Sequence, residues 1–296
     1  MLRTVAFVSS ILAGTLAAGF AALAQSPLLP QSGGGLPVSQ CQAIAGALPR
    51  ATYASFNPSG AASLPVRTVQ ATKRAALADR EEVKITFVGH STYFIETPGG
   101  IGIATDYSGV YRPYRLPDVV TMNRAHSTHF TLSPDPGIAH VLHGWSDVAG
   151  EKAEHHEIIG DAYIRNVASD IRNWGGSVEE NGNSIFIFEV AGLCIGHLGH
   201  LHFELTESQY TEIGRLDVLM VPVDGGLTMG ADSMSRVVQR LRSSLILPMH
   251  RFGPPLDSFL AMFDQKFDIA YARDDVITVS MRSLPKKPTI MVPKGL

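Results

Sequence analysis

The histidines of this sequence are the residues whose type and spacing are suited to chemistry. All eleven lie between positions 90 and 250 of the 296-residue chain. Three groups lie at or just after the ends of predicted strands, namely His126 with His129; His197, His200 and His202; and His250. A single histidine is usually exposed or satisfied within a core. Three groups at strand ends, where functional loops collect, instead favour a shared metal site.

Zinc suits such a set of side chains. The ion takes three or four nitrogen, oxygen or sulfur donors, and neutral imidazole is a good donor at pH 7. A coordination position left open for water, whose pKa falls on binding, makes a zinc site hydrolytic. Loops at the ends of three separate strands can converge on one such point.

The elements that must position these histidines are predicted from alternation and residue type. Strands are expected at 84–88, 92–97, 101–105, 119–122, 162–167, 184–189, 192–196, 218–223, 245–248, 276–280 and 289–292. Helices are expected at 41–48, 206–213, 232–242 and 258–263, and a hairpin turn at 181–183. Strands that come first and then alternate with helices indicate two sheets with helices outside, although the pattern leaves other α/β layouts open.

The N-terminus predicts export. Residues 1–24 have a short positive start, an apolar stretch and an A-x-A site, which is typical of a cleaved signal peptide. An uncleaved anchor is the alternative, because ~20 apolar residues can span a membrane. Residues 25–82 form a Pro/Gly/Ala-rich extension. We expect a periplasmic or secreted protein with no stable membrane span after cleavage.

Cysteine and charge patterns narrow the function further. Export permits a disulfide between Cys41 and Cys194, but the apolar run 190–195 favours a buried free thiol at Cys194. The net charge is -3 and no run of lysine and arginine occurs, which argues against nucleic acid and anionic membrane surfaces as partners.

Four segments carry a resemblance to a known family. The stretch ITFVGHSTYFIETPGGIGIATDY, beginning at Ile85, resembles the opening of metallo-β-lactamase-fold proteins of the ascorbate-6-phosphate lactonase and N-acyl-phosphatidylethanolamine phospholipase D branch. VTMNRAHSTH falls where that superfamily carries T-H-x-H-x-D-H. GLCIGHLGHLH, and VLMVPVDGGLTM with LILPMHRF, match its later segments. The resemblance implies a four-layer αββα sandwich, which we expect over residues 83–296.

The resemblance also implies a depleted ligand set. In the first motif the initial histidine is replaced by Arg124 and the aspartate by Thr128, whereas the bridging aspartate of the family is matched by His200. Arginine has no lone pair to offer a metal. The ligands implied are His126, His129, Asp170, His200 and His250, enough for one zinc ion and doubtful for a second.

Further residues match positions near the family's active site. His90 is implied as catalytic, and Asp106 as a base or as the partner of a ligand histidine. Arg124 would repel a second cation and could hold a substrate phosphate or carboxylate. His197 and His202 are reserve ligands, although strand alternation places His197 on the face opposite to His200.

The function predicted is an exported metal-dependent hydrolase that uses activated water on an ester, lactone or phosphodiester. A small-molecule or lipid-like substrate is expected, and the oligomeric state is left open. The replaced ligands at 124 and 128 support one alternative, a metal- or ligand-binding protein of the same fold that has lost hydrolysis. An unrelated exported binding protein is a second alternative.

Overall fold

A computed structural model describes residues 38–42, 81–148, 150–173, 175–254, 256–263 and 265–296. The predicted signal peptide, most of the predicted extension and residues 43–48 of the predicted first helix lie outside these ranges. Within them the strands, in chain order, are β1 (Val83–Gly89), β2 (Thr92–Glu96), β3 (Gly102–Ala104), β4 (Val119–Met122), β5 (His140–His143), β6 (His156–Ile159), β7 (Ala162–Arg172), β8 (Val178–Val190), β9 (Leu193–His197), β10 (Val218–Pro222), β11 (Leu245–Met249), β12 (Asp268–Tyr271), β13 (Val276–Val279) and β14 (Thr289–Val292). The helices are α1 (Glu207–Ile213), α2 (Ala231–Leu241) and α3 (Leu256–Leu260).

The strands form two mixed sheets. The first has six strands in the order β13-β1-β2-β3-β4-β5, and the second has eight in the order β12-β14-β11-β10-β9-β8-β7-β6. In the first sheet β1, β2 and β3 pair antiparallel, whereas β3, β4 and β5 pair parallel. In the second, β6 to β9 pair antiparallel and the strands from β9 to β12 through β10, β11 and β14 pair parallel.

Alternation along the strands builds the core. In β8, Phe186 and Phe188 pack into a cluster shared by both sheets, and Ile185 and Ile187 pack into the cluster that contains the helices. Side chains in a strand point alternately to opposite faces, so an apolar residue at every position marks a strand buried on both sides. The two sheets therefore face each other across one apolar layer, as the predicted sandwich requires.

The three helices pack on the outer face of the eight-stranded sheet. In α2 the buried residues include Met234, Val237 and Val238, which join the outer cluster of that sheet. Among the described residues, the opposite outer face is covered by loop side chains such as Tyr107 and Trp145 rather than by a helix. None of the helices in the described ranges has the length and apolar character needed to cross a membrane.

Each predicted strand overlaps an observed one, but three short strands were not predicted and one turn was wrong. Strands β5, β6 and β12 have only four residues each, with partly exposed faces that give weak alternation. The predicted hairpin turn at 181–183 lies inside β8, and the chain turns at 173–177 instead. Asn181 adopts a φ of 56° opposite a register shift in β7, so its turn-like conformation forms a bulge rather than a hairpin.

The prediction of a free thiol at Cys194 was wrong. Cys41 and Cys194 form a disulfide across a sequence separation of 153 residues. Cys194 lies in β9 with its side chain on the outer face, where residues 38–42 lie. Contact between positions so far apart depends on the tertiary fold, which the local apolar run does not report.

Residues 38–42, which we call the N-terminal clasp, also bind a buried carboxylate. Glu189 accepts hydrogen bonds from the Ser39 hydroxyl, from the Gln40 amide at 2.8 Å and from Arg165 Nε at 2.9 Å. The remaining guanidinium nitrogens of Arg165 donate to the carbonyl oxygens of Glu212 and Ile213. The clasp is therefore held by one covalent bond and by hydrogen bonds to the carboxylate of a buried ion pair.

Candidate metal centre

Four histidines from three regions of the chain meet at one end of the two sheets. A ring nitrogen from each of His90, His126, His129 and His250 lies within 4.8 Å of the others. His90 directly follows β1, His126 and His129 follow β4, and His250 directly follows β11. Because these three strands end at the same edge, the imidazoles that follow them lie close together.

Three residues of this region have a left-handed backbone. His90, Asp106 and His250 have φ values of 54°, 43° and 52°. Non-glycine residues adopt this region rarely and at a cost, and such residues cluster at functional sites. The His250 amide donates to the His90 carbonyl oxygen at 2.6 Å, which joins the ends of β1 and β11.

Carboxylates fix the orientation of two imidazoles. His129 Nδ1 lies 2.7 Å from Asp106 Oδ2, and His250 Nδ1 lies 2.8 Å from Asp224 Oδ2. In each pair Nδ1–H donates to the carboxylate, so Nε2 carries a lone pair. Histidines that ligate metals commonly have this support behind them.

The two carboxylates differ in their own environment. Burial raises the pKa of Asp106, against which the hydrogen bond from Asn123 acts only in part. Burial also favours a raised pKa at Asp224, but the hydrogen bonds from His250 and Thr228 outweigh it and lower the pKa below its usual range. Burial lowers the pKa of His129 well below its normal value, which keeps this imidazole neutral and able to ligate.

The residues present fit a metal ion. The Nε2 atoms of His129, His200 and His250 are buried and have no hydrogen-bond partner. Buried polar atoms are nearly always paired, because leaving one unpaired costs free energy. Three such atoms in one place, two of them lone-pair donors by the argument above, match the donor chemistry of zinc.

Thr128 supports the remaining two imidazoles of the group. Its hydroxyl lies 2.7 Å from His126 Nδ1 and 2.8 Å from His90 Nε2. When His126 donates Nδ1–H to this oxygen, its Nε2 is free to ligate, as in His129 and His250. Thr128, which the resemblance marked only as a lost ligand, thus positions side chains of the site.

The structure places two predicted residues elsewhere. Arg124 forms an ion pair with Glu179 at 3.4 Å, and its side chain is 53% exposed. Asp170 accepts a hydrogen bond from the Asn181 amide at 3.0 Å and does not belong to the four-histidine group. Both predictions came from the family resemblance. The bulge in β7 and β8 instead brings the Asp170 carboxylate against the Asn181 amide, within the sheet's own hydrogen bonding.

The second histidine group lies at and beyond the end of β9, so strand alternation does not extend to His200. His197 Nδ1 accepts the Gly199 amide, so Nε2–H donates to the Ser91 carbonyl oxygen at 2.9 Å, and this side chain is structural. The His200 ring lies 4.7 Å from the His129 ring and 4.9 Å from the His250 ring, measured between centroids, but it stands outside the four-histidine group.

A cleft of about 300 Å³ opens beside the centre. His126 and His200 line this cleft together with Ile171, Arg172 and Leu227. A mostly apolar cleft with a few polar groups that ends at a reactive centre is typical of a small-molecule site.

Two sheets face to face, with histidines at their strand ends, define a metallo-β-lactamase fold, and the predicted fold class is confirmed. A family model of the Beta-lactamase superfamily domain matches residues 84–250, more than half of the chain. The chain therefore belongs to the β-lactamase superfamily.

Two curated proteins and one solved structure are similar to this chain. A UPF0173 metal-dependent hydrolase of Pyrococcus furiosus is 26% identical over 196 residues, which cover 59% of this chain and 87% of the relative. A protein with the same description from Thermococcus kodakarensis is 26% identical over 195 residues, with the same coverage of 59% and 87%. A solved structure from Thermotoga maritima, described as a candidate Zn-dependent hydrolase of the metallo-β-lactamase superfamily, is 27% identical, covers 71% of this chain and 98% of its own, and has a TM-score of 0.49.

Proposed function

We propose that this protein is an exported hydrolase that holds one zinc ion between His126, His129 and His250 and cleaves an ester, lactone or phosphodiester. Membership of the superfamily makes it a metal-dependent hydrolase; the metal, its number and the substrate class are our proposal. The observation that carries it is the pair of buried, unpartnered Nε2 atoms of His129 and His250, each backed by a carboxylate on Nδ1.

Three histidine donors and one open position are the usual arrangement of a hydrolytic zinc site. Zinc bound there supplies a Lewis acid that activates water and polarises the scissile group. Asp106 and Asp224 hold two of the rings in place, and their charge offsets that of the cation. His90 lies within the same group, and the Thr128 hydroxyl connects its Nε2 to His126 Nδ1.

A single ion is favoured over two. Arg124 and Thr128 stand where the resembled family has a histidine and an aspartate, and neither side chain is a good zinc donor. The Thr128 hydroxyl already bridges two imidazoles. The second group of donors that a two-metal centre needs is therefore depleted.

Substrate class and location complete the proposal. The apolar side chains of Ile171 and Leu227 beside the cationic Arg172 suit a small or lipid-like substrate with one anionic group. This agrees with the resemblance to the lactonase and phospholipase D branch. The disulfide between Cys41 and Cys194 supports export, because such bonds persist in oxidising compartments.

The test combines metal analysis with turnover. Purified protein should bind one Zn²⁺ per chain and hydrolyse at least one member of a panel of generic esters, lactones and phosphodiesters. His126→Ala and His250→Ala should lose both properties with folding intact, while His140→Ala, at an exposed position, should keep both. Stoichiometric zinc without turnover would favour the alternative of a binding protein, and full activity in both variants would contradict the proposed centre.

A further inference from the structure

His200 takes the place of the family's bridging aspartate, yet its surroundings give it a different chemistry. The side chain is 4% exposed, and its backbone amide donates to Asn183 Oδ1 at 2.7 Å. Its Nδ1 lies 3.1 Å from His202 Nε2, and its Nε2 is buried without a partner. Which of these two nitrogens carries the proton decides what His200 can do.

The neighbouring histidine settles its own protonation through a backbone amide. His202 Nδ1 lies 2.6 Å from the Arg172 amide nitrogen, which can only donate, so His202 Nδ1 is an acceptor without a proton. The proton of His202 therefore lies on Nε2. That N–H donates to the Leu227 carbonyl oxygen at 2.8 Å, which can only accept.

The proton on His202 Nε2 in turn determines the protonation of His200. His202 Nε2–H also faces His200 Nδ1, in a three-centre arrangement. A proton on His200 Nδ1 would meet this N–H with no lone pair between them. His200 Nδ1 is therefore an acceptor, and the proton of the neutral ring lies on Nε2.

We propose that His200 is not a metal ligand but an N–H donor aimed into the centre, where it binds the anionic oxygen of a substrate or product. This inference rests on the proposed function, since it needs the zinc site formed by the other histidines. His129 and His250 present Nε2 lone pairs because carboxylates accept their Nδ1 protons; His200 presents an N–H because His202 donates to its Nδ1. The centre thus combines electron-pair donors for a cation with one hydrogen-bond donor for an oxyanion.

The location fits this role. The His200 ring lies against those of His126, His129 and His250, at centroid distances of 5.1, 4.7 and 4.9 Å. It also lines the cleft, as the proposed ligand His126 does, so the cleft and the centre share this side chain. A fixed, buried N–H directed at developing negative charge is a strong source of transition-state stabilisation, because it needs no reorganisation during the reaction.

Long-range ¹H–¹⁵N NMR of the histidine rings tests the proton's position. We expect the Nε2–H tautomer for His200 in both the metal-free and the Zn²⁺-loaded protein, and the Nδ1–H tautomer for His129 and His250. His202→Asn keeps an oxygen for the Arg172 amide, but its shorter side chain has no group at the position of Nε2–H, which faces His200 Nδ1, so this variant should show both His200 tautomers. An Nδ1–H tautomer in the native protein, or a His200 Nε2 resonance that shifts as a ligand on adding Zn²⁺, would overturn the proposal.

Binding measurements test the role. Zn²⁺ affinity measured by calorimetry should change less than about threefold in His200→Ala, but should fall about 100-fold or more in His129→Ala, which removes a ligand. Inorganic phosphate should bind the Zn²⁺-loaded native protein and His200→Gln, whose amide N–H replaces the donor, and should bind His200→Ala at least about 10-fold more weakly. A loss of Zn²⁺ affinity in His200→Ala comparable to that in His129→Ala would show that His200 is a ligand. Equal phosphate binding by His200→Ala and the native protein would remove the oxyanion role.

Turnover separates this inference from the function on which it rests. Where a substrate of the panel is cleaved, His200→Ala should lower kcat about 10²- to 10³-fold, with partial recovery in His200→Gln. Absence of turnover on every substrate would sink the proposed hydrolase, whereas the tautomer and the phosphate affinity would still decide the role of His200.

Discussion

Two buried polar clusters of this molecule have opposite hydrogen-bonding states. Around Glu189, the carboxylate accepts bonds from the clasp and from Arg165, whose other nitrogens donate to carbonyl oxygens. Around His129 and His250, the Nδ1 atoms are satisfied, but the Nε2 atoms are buried and unpartnered. The hydrogen bonds of the first cluster are all made within the chain, whereas the second cluster presents nitrogen atoms that only a bound ligand can pair.

The difference separates structural from functional buried polarity. Burying a charge is tolerated when every polar atom finds a partner, as at Arg165 and Glu189. An unpaired buried atom is costly, so a group of them indicates a site that a ligand completes. Variants in the histidine cluster should therefore affect ligand binding, and variants in the Glu189 cluster should affect stability.

The largest expected effect on function is the loss of metal binding and hydrolysis in His129→Ala. This change removes a proposed donor and strands Asp106, so Zn²⁺ affinity should fall about 100-fold or more. In a thermal melt, native protein with Zn²⁺ at 100 times its Kd should gain about 2.7 kcal/mol. The variant should gain almost nothing under the same conditions, and a gain equal to that of the native protein would erase the contrast between the clusters.

The largest expected effect on stability is in Glu189→Gln. Removing one partner of a buried ion pair typically costs about 3–5 kcal/mol, because Arg165 is left buried without its counterion. Denaturant unfolding measures this loss. Zn²⁺ affinity of the folded variant should match that of the native protein, and a weakened zinc site would show that the two clusters are coupled.

Breaking the disulfide should cost somewhat less. Cys41→Ser removes a cross-link between positions 153 residues apart, and loss of a native disulfide typically costs about 2–5 kcal/mol. The clasp should also become accessible to protease, which mass spectrometry of limited digests detects. Native protein under strong reductant should behave like the variant. Unchanged stability in both would mean that the noncovalent contacts alone hold the clasp.

The stability of the metal-free protein should also depend on pH. Burial is the main cause that lowers the pKa of His90 and of His202 to about 4. Unfolded histidines take up protons near pH ~6.5, so between about 6.5 and 4 the unfolded state binds more protons. The free energy of unfolding of the metal-free protein should therefore fall as the pH is lowered through this window. Denaturant melts of His202→Asn should show a weaker dependence; an identical slope would assign the effect to other groups.

Much of the fold follows from the sequence, because strands buried on both faces leave long apolar runs such as 184–190. What could not be predicted depends on partners distant in the chain. The four-residue strand β5 forms by pairing with β4, and Asn181 bends β8 rather than turning it because β7 continues beside it.

The candidate site likewise contains residues that the sequence predicted and residues that only the fold reveals. The sequence predicted that His126, His129 and His250 would meet, because each follows a predicted strand and loops at strand ends can converge on one point. Asp224 and Thr128 went unrecognised as supporting residues, because only the folded chain places them within hydrogen-bond distance of ring nitrogens. A carboxylate just after a buried strand, at 224, was the one signal that could have identified the first of them.

The disulfide also has a consequence for the order of folding, because its two cysteines are synthesised at different times. Cys41 leaves the ribosome long before Cys194, so its thiol has no partner in the chain until the start of β9 has been synthesised. Glu189 lies between them in sequence and needs the clasp for several of its hydrogen bonds. The disulfide therefore secures the earliest described part of the chain only after Cys194 has been synthesised, and because the chain has two cysteines, earlier oxidation could join Cys41 only to a thiol of another molecule.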